Sequence, residues 1–291
     1  MKERLFIFAA DHRGSLKSNV LGIKKEPNKK QLEMLHDFKA MILEALKLAI
    51  EKGIKKEDAA LLMDEDYGMK QLKEAKKLGI RIIVPVEKSG QRIFYFNYGK
   101  NFKLHVEKFK PDYVKVLLHF NPVNKQDNDE SLKNLRIFNN YIKTTNYKFL
   151  LELLIDPTEE QIKKFGRNGF DVKVRPELTE AAINQLKQAG INPDIWKLEG
   201  DEVKKDIDLI SSLVENAKIV MLGRSESMSK VLKWIKIAAK NNKVIGFAVG
   251  RTIFMQSLQN YYHNKWSREK AIKTMASKYK KIADFYLRNS N

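Results

Sequence analysis

Phe149-Leu150-Leu151-Glu152-Leu153-Leu154 is an almost continuous apolar run with a single carboxylate inside it. Runs that lack alternation between polar and apolar residues are typical of β-strands covered on both faces, as in a parallel sheet. Seven further runs of this kind are found at Leu5–Ala9, Ala60–Met63, Ile80–Val86, Tyr113–His119, Asp194–Leu198, Lys218–Leu222 and Val244–Val249. The sequence therefore predicts eight buried strands.

Amphipathic helices are predicted between these strands, because apolar residues there recur three or four positions apart. Leu32, Leu35, Phe38, Ile42 and Leu46 mark one such helix. Similar spacing marks helices over residues 182–189, 231–239 and 272–286. Strands that alternate with helices along a chain of this length favour a single (β/α)8 TIM barrel of the α/β class over an open sheet.

The chain is expected to form one domain over residues 1–291, since no compositional break and no Pro-, Gly- or Ser-rich linker divides it. Residues 266–291 are expected to form a last helix that packs on the outside of the barrel. The two longest predicted loops, 88–103 and 156–176, are expected to lie over the barrel mouth as lids or insertions.

The composition excludes several classes of protein. The sequence contains no cysteine, which excludes disulfides, thiolate zinc sites and a cysteine nucleophile. No apolar run approaches the roughly 20 residues that are needed to span a bilayer. The first residues also lack the pattern of a secretory signal. We therefore expect a cytoplasmic protein with no membrane partner.

The formal net charge of +19 has two interpretations. It could attract polyanions or phosphorylated substrates, or it could reflect lysines on solvated helix faces. The lysines are spread over the whole chain and no nucleic-acid-binding motif occurs. We therefore favour solvated helix faces and expect no nucleic-acid partner.

Polar residues collect where the predicted strands end, which is where barrel enzymes carry their chemistry. The runs are Asp11-His12-Arg13-Gly14, Asp64-Glu65-Asp66-Tyr67-Gly68, Glu87-Lys88-Ser89-Gly90, Gly223-Arg224-Ser225 and Gly250-Arg251-Thr252. Their positions make Asp11, His12, Asp64 and Glu87 candidate substrate-binding residues.

Three charged residues lie within predicted strands: Lys115, Glu152 and Lys197. A charge inside a buried strand is costly unless it is paired, and these three lie on neighbouring strands. A lysine can attack a ketone only when it is unprotonated, and burial and a second ammonium both lower a lysine pKa. Lys197 is therefore a candidate imine-forming nucleophile, with Glu152 moving protons during dehydration and carbon–carbon cleavage. The alternative is a purely structural salt bridge.

The two Gly-Arg pairs after strands 7 and 8 predict a phosphate site. Barrels often bind phosphate in these two loops. Gly223 and Gly250 would let the backbone approach the anion, and Arg224 and Arg251 would donate paired hydrogen bonds.

A catalytic metal is the main competitor for such chemistry and would need a histidine-rich site. Only His12 and His119 lie at strand ends, and no His-x-His pair occurs. We therefore expect neither a metal nor another cofactor.

The strands and strand-end runs quoted above resemble those of the class I aldolases of the tagatose-bisphosphate aldolase type. They are most similar to the inositol-catabolism branch that cleaves 2-deoxy-5-keto-gluconate 6-phosphate. The remaining matching stretches are Val114-Lys115-Val116-Leu117, Arg175-Pro176-Glu177 and Asp194-Ile195-Trp196-Lys197-Leu198-Glu199. Together with the strand-end runs, they cover nearly the whole chain in the expected order.

The resemblance implies that Lys197 forms the imine and that Glu152 shuttles protons. It implies that Asp11, Lys115 and Arg251 contact the substrate, with Arg251 nearest a phosphate. The fragment held on the lysine would be dihydroxyacetone phosphate, and the aldehyde released would be malonic semialdehyde.

Several alternatives remain open at this point. Tagatose-type enzymes carry Gln where this chain has His12, and Ser-Ala-Gly where it has Leu222-Gly223-Arg224. Tagatose 1,6-bisphosphate or a sulfo-sugar phosphate are nevertheless alternative substrates for the same mechanism. A barrel that only binds a ligand or polyanion is a second class of function. Aromatic residues at Tyr261-Tyr262 and Trp266 suggest a contact surface for a homo-oligomer, or else they anchor the last helix.

Overall fold

A computed structural model of the chain describes residues 3–290, in which eight parallel strands close into a barrel. The strands are β1 (Leu5–Ala10), β2 (Ala59–Met63), β3 (Arg81–Pro85), β4 (Tyr113–Phe120), β5 (Lys148–Ile155), β6 (Ile195–Glu199), β7 (Lys218–Leu222) and β8 (Val244–Val249). Each strand pairs with the next, and β8 pairs back to β1. The predicted (β/α)8 barrel is confirmed, and every observed strand overlaps its predicted run.

Helices connect the strands and surround the barrel. They are α1 (Gly14–Asn19), α2 (Lys29–Glu51), α3 (Glu65–Lys77), α4 (Phe102–Phe109), α5 (Lys125–Ile142), α6 (Glu159–Gly169), α7 (Arg175–Gln188), α8 (Lys204–Leu213), α9 (Met228–Ala238), α10 (Arg251–Tyr262) and α11 (Arg268–Asn289). None of these helices in the described chain is long and apolar enough to cross a membrane.

Side-chain capping explains where several helices begin. At the start of α2, the Asn28 side chain accepts from the Gln31 N–H and the Gln31 side chain accepts from the Asn28 N–H, each at 2.9 Å. This reciprocal arrangement satisfies two backbone donors that have no partner within the helix. Asp64 caps α3 in a related way, because its carboxylate accepts from the Tyr67 N–H at 3.0 Å.

Apolar side chains fill both the inside and the outside of the strand cylinder. The inner cluster consists of Leu5, Ile7, Ala9, Ala60, Leu62, Ile83, Tyr113, Leu150, Ile195, Val220, Ile245 and Ala248. The outward-facing strand residues pack against the helices in a second, larger cluster. Since alternate residues of a strand face opposite sides, a residue two positions beyond an inner one also faces inward.

The last helix, α11, packs on the outside of the barrel. Within α11 the buried hydroxyl of Tyr279 donates to the Phe6 carbonyl at 2.7 Å, and that of Tyr286 donates to the Val244 carbonyl at 2.7 Å. The rings of Tyr261 and Tyr262 contact Phe38, so they anchor α10 on α2. A homo-oligomer remains a prediction. The single-domain prediction for 1–291 also included Met1, Lys2 and Asn291, which lie outside the described residues.

The predicted loop 156–176 is wrong, because most of it is helical. The Thr158 side chain accepts from the Gln161 N–H at 3.2 Å, and the Gln161 side chain accepts from the Thr158 N–H at 2.9 Å, which starts α6. Gly166, with φ of +63°, kinks this helix. A π-helical segment, Phe170–Val174, then leads into α7.

The predicted loop 88–103 is a short hairpin followed by the start of α4. Glu87 pairs with Phe96 in antiparallel fashion. The hairpin is fastened to α5, since the Phe94 N–H donates to Ser131 Oγ at 3.1 Å and Asn134 Nδ2 donates to the Phe94 carbonyl at 2.9 Å. The segment is therefore attached to α5 through both backbone groups of Phe94.

Candidate active site

Strand register brings the three intrastrand charges to one place inside the barrel. Glu152 is level with Leu117 on β4 and with Lys197 on β6. Lys115 lies two positions before Leu117 and so faces the same side. All three lie above the inner apolar cluster, at its end towards the strand C-termini. Only 1% of Lys115 and 3% of Lys197 are exposed.

Lys115 is surrounded by three carboxylates. Its Nζ lies 2.8 Å from Asp11 Oδ2, 2.7 Å from Glu87 Oε1 and 2.9 Å from Glu152 Oε2. The contacts with Asp11 and Glu87 are hydrogen bonds donated by Lys115, and the contact with Glu152 is an ion pair. Lys197 has one ion-pair partner in the described chain, Glu152 Oε2, at 2.8 Å. A single carboxylate oxygen thus bridges two buried lysines.

The charges fix the protonation of this group. Burial acts to lower the pKa of Lys115, but Asp11, Glu152 and Glu87 outweigh it, and the pKa lies well above its usual range. Burial acts to raise the pKa of Glu152, but Lys115 and Lys197 lower it to about 2. The pKa of Asp11 is also held well below its usual value, against burial, mainly by the two lysines. At neutral pH both carboxyl groups are therefore ionised and Lys115 is an ammonium.

His12 and Arg251 also line this end of the barrel. Burial lowers the pKa of His12 to about 3, so its ring is neutral at pH 7. Burial also lowers the pKa of Arg251. The Nε of Arg251 is buried and has no hydrogen-bond partner, and the side chain makes no ion pair with a described residue. Arg251 is therefore a cation whose guanidinium N–H groups can donate hydrogen bonds to a ligand.

Two adjoining cavities open at this end of the barrel. The larger, about 220 Å³, is lined by Asp11, His12, Arg13, Gly14, Ser15, Glu87, Ser89, Gly90, Lys115, Leu117, Glu152, Leu154 and Arg251. The smaller, about 70 Å³, is lined by Ala9, His12, Glu152, Leu154, Lys197, Leu222, Gly223, Arg224, Ser225, Ala248, Gly250 and Arg251. Both include Glu152 and Arg251, so a single elongated ligand could extend from one cavity into the other.

A third hollow, of about 470 Å³, runs along the outer face of α11. Its walls are mostly lysine, serine and threonine side chains of that one helix, including Lys270, Lys273 and Lys281. It contains no group of ionised side chains held together by burial, and it is open to solvent. We therefore assign no chemistry to it.

Arg224 is less available than the sequence suggested. Its Nε lies 2.8 Å from Glu199 Oε1 and its Nη1 lies 2.8 Å from Asp171 Oδ1. It also has φ of +46°, a left-handed conformation that is rare outside glycine. A phosphate would have to compete with two carboxylates for this guanidinium. Of the two arginines, Arg251 is the better placed to receive an anion.

Close packing accounts for the glycine that precedes Arg251. A Cβ on Gly250 would lie 2.1 Å from the Ala9 carbonyl oxygen and 2.9 Å from His12 Cε1. The close approach of β1 therefore requires glycine at position 250. This requirement does not depend on whether an anion binds there. A Cβ on Gly223 would meet Val249 at 3.0 Å.

Asp64 lies outside both cavities, so its interpretation as a substrate ligand does not fit the structure. Its carboxylate accepts from the Nζ of Lys39, a fully buried lysine of α2, and from the Tyr67 N–H. These contacts fasten α2 to the end of β2. Glu87 and Asp11, by contrast, do line the larger cavity, and Glu87 Oε2 is buried without a partner.

Sequence reasoning did not single out Arg13 and Ser15, which also line the larger cavity. Arg13 donates to Asp66 Oδ2 at 3.0 Å and to the Glu87 carbonyl at 2.9 Å, and so holds the end of β3 in place. Ser15 Oγ is buried and has no partner. The signal was available, because Arg13 belongs to the polar run that follows β1.

His119 and Asp156 form another pair near the mouth. His119 Nδ1 lies 2.8 Å from Asp156 Oδ2, and about a quarter of the His119 side chain is exposed. The hydrogen bond with Asp156 raises the pKa of His119 above its usual 6.5. No group of three or more His, Asp or Glu side chains within residues 3–290 could hold a metal ion.

Comparison with known proteins identifies a family and a fold. A family described as "Uncharacterized protein conserved in bacteria (DUF2090)" matches residues 1–290. The fructose-bisphosphate aldolase from Plasmodium falciparum has a similar structure, with a TM-score of 0.70 and 12% identity, over 98% of this chain and 91% of that chain. Cgl0159 from Corynebacterium glutamicum (Brevibacterium flavum) is similar with a TM-score of 0.56 and 16% identity, over 94% and 85%. No curated protein matches in sequence. At these identities the structural likeness shows the fold alone.

Proposed function

The chain belongs to the DUF2090 family, and from that premise and the geometry of its barrel mouth we propose that it is a metal-independent Schiff-base aldolase. It makes or breaks a carbon–carbon bond in a phosphorylated ketose, with Lys197 as the nucleophile. The observation that carries the proposal is the contact of Glu152 Oε2 with both Lys197 Nζ, at 2.8 Å, and Lys115 Nζ, at 2.9 Å.

The contacts favour Lys197 over Lys115 as the imine-forming residue. Lys115 is paired with three carboxylates, and its pKa is raised. It therefore stays an ammonium and acts as a fixed positive charge. Lys197 has only Glu152 as an ion-pair partner in the described chain, and a carboxylate in contact with an amine can take its proton.

In the cleavage direction, Glu152 takes a proton from Lys197, and the free amine attacks the ketone carbon to form a carbinolamine. Glu152 returns the proton to the carbinolamine hydroxyl, which leaves as water, and an iminium ion remains. The electrons of the neighbouring carbon–carbon bond then move into the iminium to give an enamine. The hydroxyl of the departing carbon loses its proton and becomes an aldehyde. Protonation and hydrolysis of the enamine restore Lys197.

The two cavities suggest how the substrate lies. Arg251 has donors free for a phosphate and borders the smaller cavity, which also contains Lys197. The ketone-bearing, phosphorylated half therefore lies there, and dihydroxyacetone phosphate is the fragment that stays on Lys197. The aldehyde half lies in the larger cavity beside Asp11, Glu87 and Lys115.

The resemblance to the inositol-catabolism branch makes 2-deoxy-5-keto-gluconate 6-phosphate the first substrate to test, with malonic semialdehyde as the second product. Tagatose 1,6-bisphosphate and a sulfo-sugar phosphate are the alternatives. The Plasmodium falciparum protein of similar structure is a fructose-bisphosphate aldolase, which supports the same reaction class. The proposed location is the cytoplasm.

The test is a panel of phosphorylated ketoses assayed for release of dihydroxyacetone phosphate. The panel contains the three compounds above and fructose 1,6-bisphosphate. Wild type should turn over at least one of them, and Lys197→Ala should lose that turnover. Lys24→Ala, which removes an exposed lysine, is the matched control and should keep it. Turnover that survives in Lys197→Ala would overturn the mechanism. No turnover of any ketose phosphate, with salt-sensitive retention on a polyanion, would favour a binding protein.

A further inference from the structure

The pair formed by His119 and Asp156 has no role in the chemistry described above. Asp156 is itself well fixed, because its N–H donates to the Phe120 carbonyl at 3.1 Å and its carbonyl accepts from Asn121 Nδ2 at 2.7 Å. Asp156 Oδ2 lies 2.8 Å from His119 Nδ1. This contact orients the imidazole and leaves its Nε2 without a hydrogen-bond partner among residues 3–290.

The register places His119 on the strand next to that of Glu152, one layer of side chains nearer the solvent and just beyond the residues that line the two cavities. On β4, His119 is two positions beyond Leu117 and four beyond Lys115, so all three face the barrel interior. It is level with Leu154 of β5, which lines both cavities. Leu154 is two residues beyond Glu152. The imidazole is therefore one layer of side chains, about 7 Å along the strand, nearer the solvent than Glu152.

Carbon–carbon cleavage needs a group that accepts the proton of the hydroxyl on the departing carbon. Glu152 already exchanges a proton with Lys197, whose Nζ lies 2.8 Å from Glu152 Oε2. The pKa of Asp11 is well below its usual value, and that of His12 is about 3. Asp11 and His12 are therefore weak proton acceptors at neutral pH, and Glu152 is engaged with Lys197.

We propose that His119, oriented by Asp156, is the general base that takes this hydroxyl proton and the general acid that returns it during condensation. The inference rests on the proposed aldolase function and assigns two proton transfers at that site to two different side chains. Glu152 serves the nitrogen of Lys197, and His119 serves the oxygen of the aldehyde half.

The step balances without another reactant. His119 Nε2 accepts the hydroxyl proton as the carbon–oxygen double bond of the aldehyde forms. The electrons of the broken carbon–carbon bond pass to the iminium on Lys197. The resulting imidazolium donates its Nδ1–H to Asp156, which stabilises the added charge. In condensation the imidazolium gives the proton back to the aldehyde oxygen as the new bond forms.

The pH dependence follows from the groups around His119. Asp156 contacts it from the end of β5, and Glu152 and Lys115 act on it from the barrel interior. The hydrogen bond with Asp156 is the largest influence, and the pKa of His119 is raised above its usual 6.5. Because the base must be neutral, the cleavage rate should fall as the pH drops through that raised pKa.

The test uses the full chain and the panel ketose that wild type cleaves fastest, with His119→Phe, His119→Gln and Asp156→Asn as variants. We expect His119→Phe to lower kcat by about 10²- to 10⁴-fold and to leave KM within about threefold. The fall in rate at low pH should disappear with it. His263→Phe, which replaces an exposed histidine after α10, is the matched control and should behave as wild type.

A partial reaction separates this inference from the proposed function. Borohydride should trap dihydroxyacetone phosphate on His119→Phe as well as on wild type, since imine formation does not use His119. Normal trapping with cleavage within about threefold of wild type would overturn the role of His119 alone. Equal loss of trapping and cleavage would make His119 a structural residue. Failure of wild type itself to trap would overturn the proposed function and this inference together.

Discussion

Replacing Lys115 by methionine should destabilise the protein strongly at neutral pH and less at lower pH. Methionine has a similar length and no charge. The change would leave Asp11 and Glu87 buried without the cation that now lies 2.8 and 2.7 Å away, while Glu152 keeps Lys197 at 2.8 Å. Carboxylates in this position must either stay ionised at high cost or take up protons.

The magnitude can be worked from the pKa of Glu152. A shift from the usual 4.5 to about 2 corresponds to about 3 kcal/mol of folding free energy contributed by the ionised group. This contribution is present above pH 4.5 and is lost as the pH falls through about 2. Removal of one partner from a buried ion pair costs about 3–5 kcal/mol in general. We therefore expect Lys115→Met to lose about 3–5 kcal/mol of unfolding free energy at pH 7.

Urea unfolding at several pH values measures this loss, with Lys24→Met as a matched control for an exposed lysine. In the variant, Asp11 should protonate more readily than in wild type, because Lys115 no longer lowers its pKa. The deficit should therefore shrink as the pH is lowered from 7 towards 5. A deficit below about 1 kcal/mol, or one that does not change with pH, would refute the reasoning that Lys115 is the centre of a buried ionic cluster.

Three further predictions concern single side chains. Arg251→Gln should raise KM for the ketose phosphate by about 10- to 100-fold, because a charged hydrogen bond to phosphate is lost. The effect on kcat should be smaller. An unchanged KM in initial-rate assays would contradict this prediction. Glu152→Gln should lower kcat by about 10²- to 10⁴-fold, and rates near wild type would remove Glu152 from the mechanism. Tyr279→Phe should lower the free energy of unfolding by about 1–3 kcal/mol, because the buried Phe6 carbonyl loses its hydrogen-bond donor. Thermal or urea unfolding measures this loss, and no measurable change would show that water replaces the hydroxyl.

The barrel was predictable because its strands are apolar on both faces, so that each run stands out from the polar helices and loops around it. The same contrast revealed Lys115, Glu152 and Lys197, since a charge inside an apolar strand is conspicuous. The observed register of β4, β5 and β6 then brings the three residues together.

Partners on distant segments were not predictable in the same way. Asp171, which binds Arg224, belongs to a region that was predicted to be a loop and is a helix with a π-helical end. Lys39 looks like one more surface lysine of an amphipathic helix. It follows Leu35 by four positions, however, and is fully buried against Asp64. That spacing was a usable signal that Lys39 lies on the buried face of α2.

The central claim is that Lys197, of the two buried lysines at the barrel mouth, forms the imine. Reduction with borohydride in the presence of dihydroxyacetone phosphate, followed by peptide mass mapping, tests this claim most directly. We predict one reduced adduct, on Lys197, that is absent from Lys197→Ala and retained in Lys24→Ala. An adduct on Lys115, or no adduct under conditions in which the protein turns over a ketose phosphate, would contradict the account.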